Sequence, residues 1–319
     1  MHNPTVTLTR CSSYDSSQLA EAIARQFELL GGLDKYIKSG DRVLLKPNLI
    51  APKSRRAAAQ TDPAVILETA RLLKDFGAKP FVADSPAWST VQNCVQKLKL
   101  EKPLKELGVA VKQLDKPRKC QIGKHNITVG ISSVALEADV IINLPKFKAH
   151  KQLVATFAVK NMFGCVTGKK KAVWHFTKGK NHHDFCEMLI EIFRFLNPAL
   201  TIIDAVIAMD GDGPISGRPR PLGLLIGGTD PIACETICCK LAGIDPDDLP
   251  ILKTAKQMRL PCPKYEKINI TGDGLPDKIS PPFILPELIP LRFSLLHLCK
   301  SLAKQAFLLT KSAISKILS

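Results

Sequence analysis

Asp41-Arg42-Val43-Leu44-Leu45-Lys46-Pro47 is a short apolar run that ends on a lysine and a proline. Such a run reads as a buried strand entering a loop. Working backward, Ser16 to Leu30 has helical periodicity that stops at Gly31-Gly32, and Thr5 to Thr9 alternates as a strand does. Working forward, Asp62-Pro63 opens a helix that runs to Phe76 and stops at Gly77, and Lys79 to Ala83 is a further strand closing at Asp84-Ser85-Pro86. Alternating strands and helices predict an α/β fold, a mainly parallel sheet flanked by helices.

Further strands are expected at Val109 to Val111, Ile127 to Gly130, Val140 to Asn143, Leu200 to Ile203, Leu222 to Ile226 and Ile268 to Ile270. Asp230-Pro231 is an N-cap and first turn for a helix reaching about Leu241. With 319 residues, the chain has room for one large α/β unit or two lobes. Residues 1–280 are assigned to this core. Residues 281–319 are assigned to a basic amphipathic C-terminal helix, in which 291–318 carries Lys300, Lys304 and Lys311 close together on one face and has no acidic residue. Its lysines interrupt it too often for a membrane span, which leaves contact with an anionic membrane surface or packing onto the core.

The net charge of +16 draws anions from a distance, whether phosphorylated ligands, acidic metabolites, nucleic acid or lipid headgroups. An aromatic content of 6% argues against a stacking platform for single-stranded nucleic acid, so nucleic acid is the weaker candidate partner. The N-terminus has no signal-peptide apolar core, which with ten scattered cysteines predicts a reducing cytoplasm, with peripheral membrane contact left open. Cys234, Cys238 and Cys239 lack the tight Cys-x-x-Cys runs of ferredoxin-type clusters, so the chain carries no iron–sulfur motif of its own.

Charge is concentrated between Pro145 and Asp184, where nine lysines, four histidines and one cysteine precede the first acid. In Lys146-Phe147-Lys148-Ala149-His150, extended geometry puts Lys146, Lys148 and His150 on one side. Lys46 and Asn48 follow a strand, at the edge where open α/β sheets bind ligands, and Asp84 ends the next strand on the same rim. Asp84 reads as a metal ligand, a base or the N-cap of the helix after it. Lys160 and Asn161, with Gly164 nearby, form a donor pair beside a close backbone approach. Lys46, Asn48, Lys146, Lys148, Lys160, Asn161 and Gly164 are therefore the candidate substrate-binding residues, and Asp84, His150, His175 and Asp204 the candidate catalytic ones. Asp210 and Asp212, on a Gly-rich loop, are candidate ligands for a metal ion. The pair His182-His183 supplies two further imidazoles without the i, i+4 His–His spacing of a helical zinc site.

These motifs in this order resemble the family called domain of unknown function 362, whose members are often described as uncharacterised iron–sulfur centre proteins. The resemblance runs from about residue 5 to residue 245 and is carried by Lys46-Pro47-Asn48, Thr61-Asp62-Pro63, Asp84-Ser85, Val140 to His150, Lys160 to Gly164, Asp204, Met209 to Pro214 and Asp230-Pro231. It departs at Cys234-Glu235, where an Asp is expected. The resemblance implies electron transfer for members fused to ferredoxin-type clusters. Here a redox role would need a separate ferredoxin-like carrier.

Two functions are consistent with these residues. One is an enzyme that holds an anionic small molecule in a strand-end cleft lined by Lys, His and Asp, by acid–base chemistry or by redox chemistry through an external carrier. The other is a non-catalytic module that binds anions, a membrane surface or nucleic acid.

Overall fold

The computed structural model of the protein describes residues 3–87, 89–167, 182–276, 279 and 281–289. The first half runs β1 (Thr5–Arg10), α1 (Ser16–Leu29), β2 (Arg42–Pro47), α2 (Pro63–Asp75), β3 (Lys79–Asp84), α3 (Val91–Lys97), α4 (Glu101–Glu106) and β4 (Ala110–Gln113). A hairpin, β5 (Pro117–Ile122) and β6 (Ile127–Ser132), and the short α5 (Ser133–Leu136) lead to β7 (Val140–Leu144), β8 (Lys146–His150) and β9 (Val154–Thr156). A 3-10 segment, Val159–Cys165, follows, then α6 (His182–Leu196), β10 (Leu200–Asp210), β11 (Arg218–Gly228), α7 (Pro231–Ala242), α8 (Pro250–Gln257) and β12 (Asn269–Gly272).

The main sheet has the order β12-β1-β11-β10-β7-β2-β3-β4, with β8 paired to β10 and β9 to β8. The run β10-β7-β2-β3-β4 is parallel throughout, while β11 runs antiparallel to both β10 and β1. The mainly parallel α/β sheet expected from the sequence is therefore the fold. Alternation along each strand sorts the core onto two faces: Val43 and Leu45 of β2 join Val82 and Ile142 on one, and Leu44 joins Phe81, Ala83 and Ile141 on the other. Cys11, Cys94, Cys165, Cys186, Cys234, Cys238 and Cys239 are buried, as small apolar core residues are.

Local signals set the helix starts. Asp62 Oδ1 accepts from the Ala64 amide, and Asp230 Oδ1 from the amides of Ile232 and Ala233, so both Asp-Pro pairs cap helices as their sequences predict. Other elements were not legible locally. β10 extends to Asp210, well beyond the expected Ile203, because its second half pairs with β8 on one side and β11 on the other. β5 is mostly exposed and polar, so only its partner β6 shows a strand pattern. α6 begins inside the basic block, which hides its apolar face.

Candidate functional site

β2, β3 and β7 run parallel, so Lys46, Asp84 and Leu144 end at one edge of the sheet. There the Lys46 ammonium lies 2.8 Å from Asp84 Oδ1 and donates to the Pro47 carbonyl at 2.6 Å. Asp84 also accepts from the amides of Leu49 and Ser85, both at 2.7 Å. Asp84 is thus a buried counterion. The N-cap of α3 is Thr90, which removes that alternative for Asp84. Gly164 lies directly against the pair: a Cβ there would come within 2.6 Å of Lys46 Nζ and 2.5 Å of Asp84 Oδ1. Any larger residue at 164 would have to displace this ion pair.

A second buried pair sits where β8 meets β10. Lys146 Nζ is 2.7 Å from Asp204 Oδ2, which also accepts from the Asp62 amide at 2.8 Å. The Tyr14 hydroxyl donates to Asp204 Oδ1 at 2.8 Å and accepts from Lys146 Nζ at 2.8 Å and from the Ile207 amide at 3.1 Å. Burial pushes the Tyr14 phenol far above its ordinary range, the charges of Asp204 and Asp62 adding to the effect, so it stays protonated. Arg55 forms a two-bond fork on Asp62 at 2.6 and 2.8 Å. Burial raises the Asp62 carboxyl, with the Arg55 guanidinium acting against it.

A chain of amides leads from β7 to a third buried lysine. Asn143 Oδ1 accepts from Asn161 Nδ2 at 2.8 Å, Asn161 Oδ1 from Asn48 Nδ2 at 3.1 Å, and Asn48 Oδ1 from the Lys148 ammonium at 2.5 Å. Asn161 Nδ2 also donates to the Lys46 carbonyl at 2.9 Å. These contacts fix each amide's orientation and turn Asn48 Oδ1 toward Lys148. The other hydrogen bond of Lys148 goes to the Ala59 carbonyl at 2.8 Å, so this residue, 3% exposed, rests its ammonium on two neutral oxygens. Burial drives its pKa well below the lysine range, and the positive charges of Lys160 and Lys146 push it the same way.

Two cavities open on this region. The larger, about 360 Å³, is lined by Tyr14, Arg55, Arg56, Gln60, Thr61, Asp62 and Lys146 among others. The smaller, about 30 Å³, is lined by Asn48, Lys146, Lys148, Thr156, Lys160 and Asn161 with apolar neighbours. It has room for a water or a compact group. Lys146 belongs to both walls, and the smaller cavity presents three lysines to its contents.

The structure thus brings together Lys46, Asn48, Asp84, Lys146, Lys148, Lys160, Asn161, Gly164 and Asp204, in unequal roles. Lys46, Asp84, Asp204 and Gly164 are absorbed in buried pairing and close packing, whereas Asn48, Lys146, Lys148, Lys160 and Asn161 face a cavity. His150 is buried on β8, its Nδ1 accepting from the Gln152 amide at 3.2 Å, and it lines neither cavity. Asp210 takes the Arg218 guanidinium at 3.5 Å and the Ile284 amide at 3.3 Å, while the exposed Asp212 takes Lys151 at 3.2 Å, so each loop aspartate is engaged by a different cation. His175 and residues 291–318 lie outside the described residues.

Tyr14, Arg55, Arg56 and Glu235 were not singled out as site residues. Tyr14 carries no local signal, since its partner Asp204 is 190 positions away. Arg55-Arg56, a basic pair just before Thr61-Asp62-Pro63, was the available hint. Glu235, at the point of departure noted above, is buried in α7; its Oε1 accepts from the Val159 amide at 2.9 Å and so anchors the start of the segment carrying Lys160, Asn161 and Gly164. Its Oε2 has no hydrogen-bond partner among the described residues.

Residues 43–240 match the family model "Domain of unknown function (DUF362)". Thylakoid-associated protein sll1697 of Synechocystis sp. (strain ATCC 27184 / PCC 6803 / Kazusa) is 34% identical over 294 residues, 89% of this chain and 92% of that protein. Among solved structures, the lactate racemase apoprotein from Thermoanaerobacterium thermosaccharolyticum aligns at 14% identity and a TM-score of 0.48, over 76% of this chain and 58% of that one. With a family model that matches residues 43–240 and a relative 34% identical over 89% of the chain, the chain belongs to the DUF362 family, a domain of unknown function.

Proposed function

We propose that the protein is an enzyme that binds an anionic small molecule across the two adjoining cavities and moves a proton there. The observation that carries this reading is Lys148, a buried lysine whose hydrogen bonds end on neutral oxygens and whose neighbours in the smaller cavity include Lys146 and Lys160. A carboxylate or phosphate oxygen in that cavity would offset the crowded positive charge. The larger cavity, where the body of the ligand has room, adds Arg56 to this wall beside Arg55 and Lys146, which are already paired with Asp62 and Asp204. An amine whose pKa burial and the neighbouring lysines hold below the usual lysine range gives up its proton more readily than a free lysine, the property that tuned catalytic lysines use. A redox form of the reaction would draw electrons from a separate ferredoxin-like carrier.

The test is thermal stabilisation by inorganic phosphate, acetate and succinate, with anaerobically purified protein also inspected by native mass spectrometry and absorption spectroscopy for retained ligand, metal or chromophore. The expected result is saturable stabilisation by one class of anion, abolished in Lys148→Met while circular dichroism stays unchanged. Stabilisation by none of them, or the same stabilisation in Lys148→Met, would refute it.

A second reading concerns where the protein works, and a specific surface favours it. Ile284, Leu285, Leu288 and Ile289 are 43–58% exposed and lead directly into the acid-free, lysine-bearing sequence 291–318. Exposed apolar side chains next to basic charge match the interfacial zone of an anionic bilayer. Lys300, Lys304 and Lys311 interrupt 291–318 too often for a membrane span, so the attachment proposed is peripheral; among the described residues no helix is long and apolar enough to cross a membrane. The name of the thylakoid-associated relative agrees with this reading. Sedimentation with phosphatidylglycerol vesicles, but not with phosphatidylcholine vesicles, is expected of the full chain and not of a chain ending at 290. Equal sedimentation of the two chains would exclude the tail as the anchor.

A further inference from the structure

Three metal-ligating side chains converge on the first turns of α6, away from the strand-end cleft, and a fourth touches one of them from the turn of the β5–β6 hairpin. The ligand atoms of His183, Asp184 and Glu187 all lie within 4.8 Å of one another. His183 and Glu187 are four residues apart, so helical geometry stacks them on one face. The fourth group, His125, comes from a different element: its Nδ1 is 3.0 Å from Glu187 Oε1.

The hairpin is held in place beside the helix. Gly123 adopts a left-handed φ of +68°, and a Cβ there would lie 2.8 Å from Glu191 Cγ, one helical turn beyond Glu187. That close approach sets the position of the turn on which His125 stands. Glu187 is the least exposed of the four, with 14% of its side chain open to solvent, so the cluster has a partly buried base under more open imidazoles.

We infer that His125, His183, Asp184 and Glu187 form a binding site for a divalent transition-metal ion. The set differs from an acidic patch, because half its donors are imidazoles and they arrive from two separate elements. Two nitrogen and two carboxylate donors suit zinc and its first-row neighbours, whereas magnesium and calcium prefer all-oxygen shells. The donor atoms of His183, Asp184 and Glu187, within 4.8 Å of one another, would close to ligand distances of roughly 2.0–2.2 Å around a shared ion, and His125 would join them by swinging from Glu187 onto the metal. The ion would fasten the hairpin to the start of α6. This site differs from the loop of Asp210 and Asp212, where each carboxylate already faces a cation.

The experiment is isothermal titration of the full chain, stripped with chelator, with Zn²⁺ and separately with Co²⁺, whose visible absorption reports the ligand set. Binding at one ion per chain is expected, weakened about tenfold or more in His183→Ala and in Glu187→Gln. His125→Ala should weaken it and change the Co²⁺ spectrum, and Asp212→Asn should leave it unchanged. His125, His183 and Asp212 are surface side chains, and circular dichroism of each variant verifies that the fold is intact. Failure to bind either ion, or binding that survives both His183→Ala and Glu187→Gln at full strength, would overturn the assignment, as would binding lost in Asp212→Asn alone.

Discussion

The Lys46 ammonium and the Asp84 carboxylate sit 2.8 Å apart with their side chains 1% and 3% exposed, making a salt bridge inside the sheet edge where a ligand-binding lysine was expected. Removing one partner strands the other charge in a poorly solvated place. Lys46→Met or Asp84→Leu alone should each cost about 3–5 kcal/mol of stability, while the double variant should lose less than the sum. Gly164→Ala should also destabilise, by about 1–3 kcal/mol, because its methyl would fall on the pair. Urea unfolding midpoints measure all four.

Lys148 should make its mark through pH. Its folded-state pKa is depressed, so between that value and the ordinary 10.5 the unfolded chain holds a proton that the folded chain does not. Its contribution is complete above the unfolded value and is lost as pH falls through the folded one. Replacing it in Lys148→Met should flatten the rise of stability with pH on the alkaline side. A stability curve from neutral pH to about 10.5, parallel in wild type and variant, would contradict this.

Glu235 acts in the opposite sense. Burial pushes its carboxyl up to about 7 from an ordinary 4.5, while the Val159 and Ala158 amides favour the charged form. The folded chain therefore binds the proton more tightly. Its stabilising contribution is complete below 4.5 and is lost as pH rises through about 7, a difference on the order of 3 kcal/mol. Glu235→Gln keeps an oxygen for Val159 and cannot ionise, so thermal stability above pH 7 should rise and its slope between 4.5 and 7 should shrink. A steeper slope in the variant would show that another group sets it.

Tyr14→Phe removes a hydroxyl that bonds Asp204, Lys146 and the Ile207 amide at once. The buried amide and ammonium each lose a partner, so a loss of about 1–3 kcal/mol is expected in denaturant unfolding. Because Tyr14 and Lys146 also line the larger cavity, any anion that stabilises the wild type should stabilise this variant less. Wild-type stability in Tyr14→Phe would mean that water replaces the hydroxyl.

The sequence by itself determined what local pattern can encode. Apolar runs and helical periodicity specified the β-α-β order, the Asp-Pro pairs specified two helix starts, and the strand ends placed Lys46 and Asp84 on one rim. The alternation in Lys146-Phe147-Lys148 separated the lysines from Phe147, which is buried in the core with Phe157 and Phe283. Only the tertiary structure decided which charges meet. Adjacency of β2 and β3 turns Lys46 onto Asp84, and the pairing of β8 with β10 sets Lys146 on Asp204, where Tyr14 arrives from the other end of the chain. Side-chain periodicity records which face a residue takes, but whether a buried lysine finds a carboxylate depends on sheet order. That difference separates Lys46 and Lys146, each paired with an aspartate although Lys146 also lines both cavities, from Lys148, which rests on neutral oxygens.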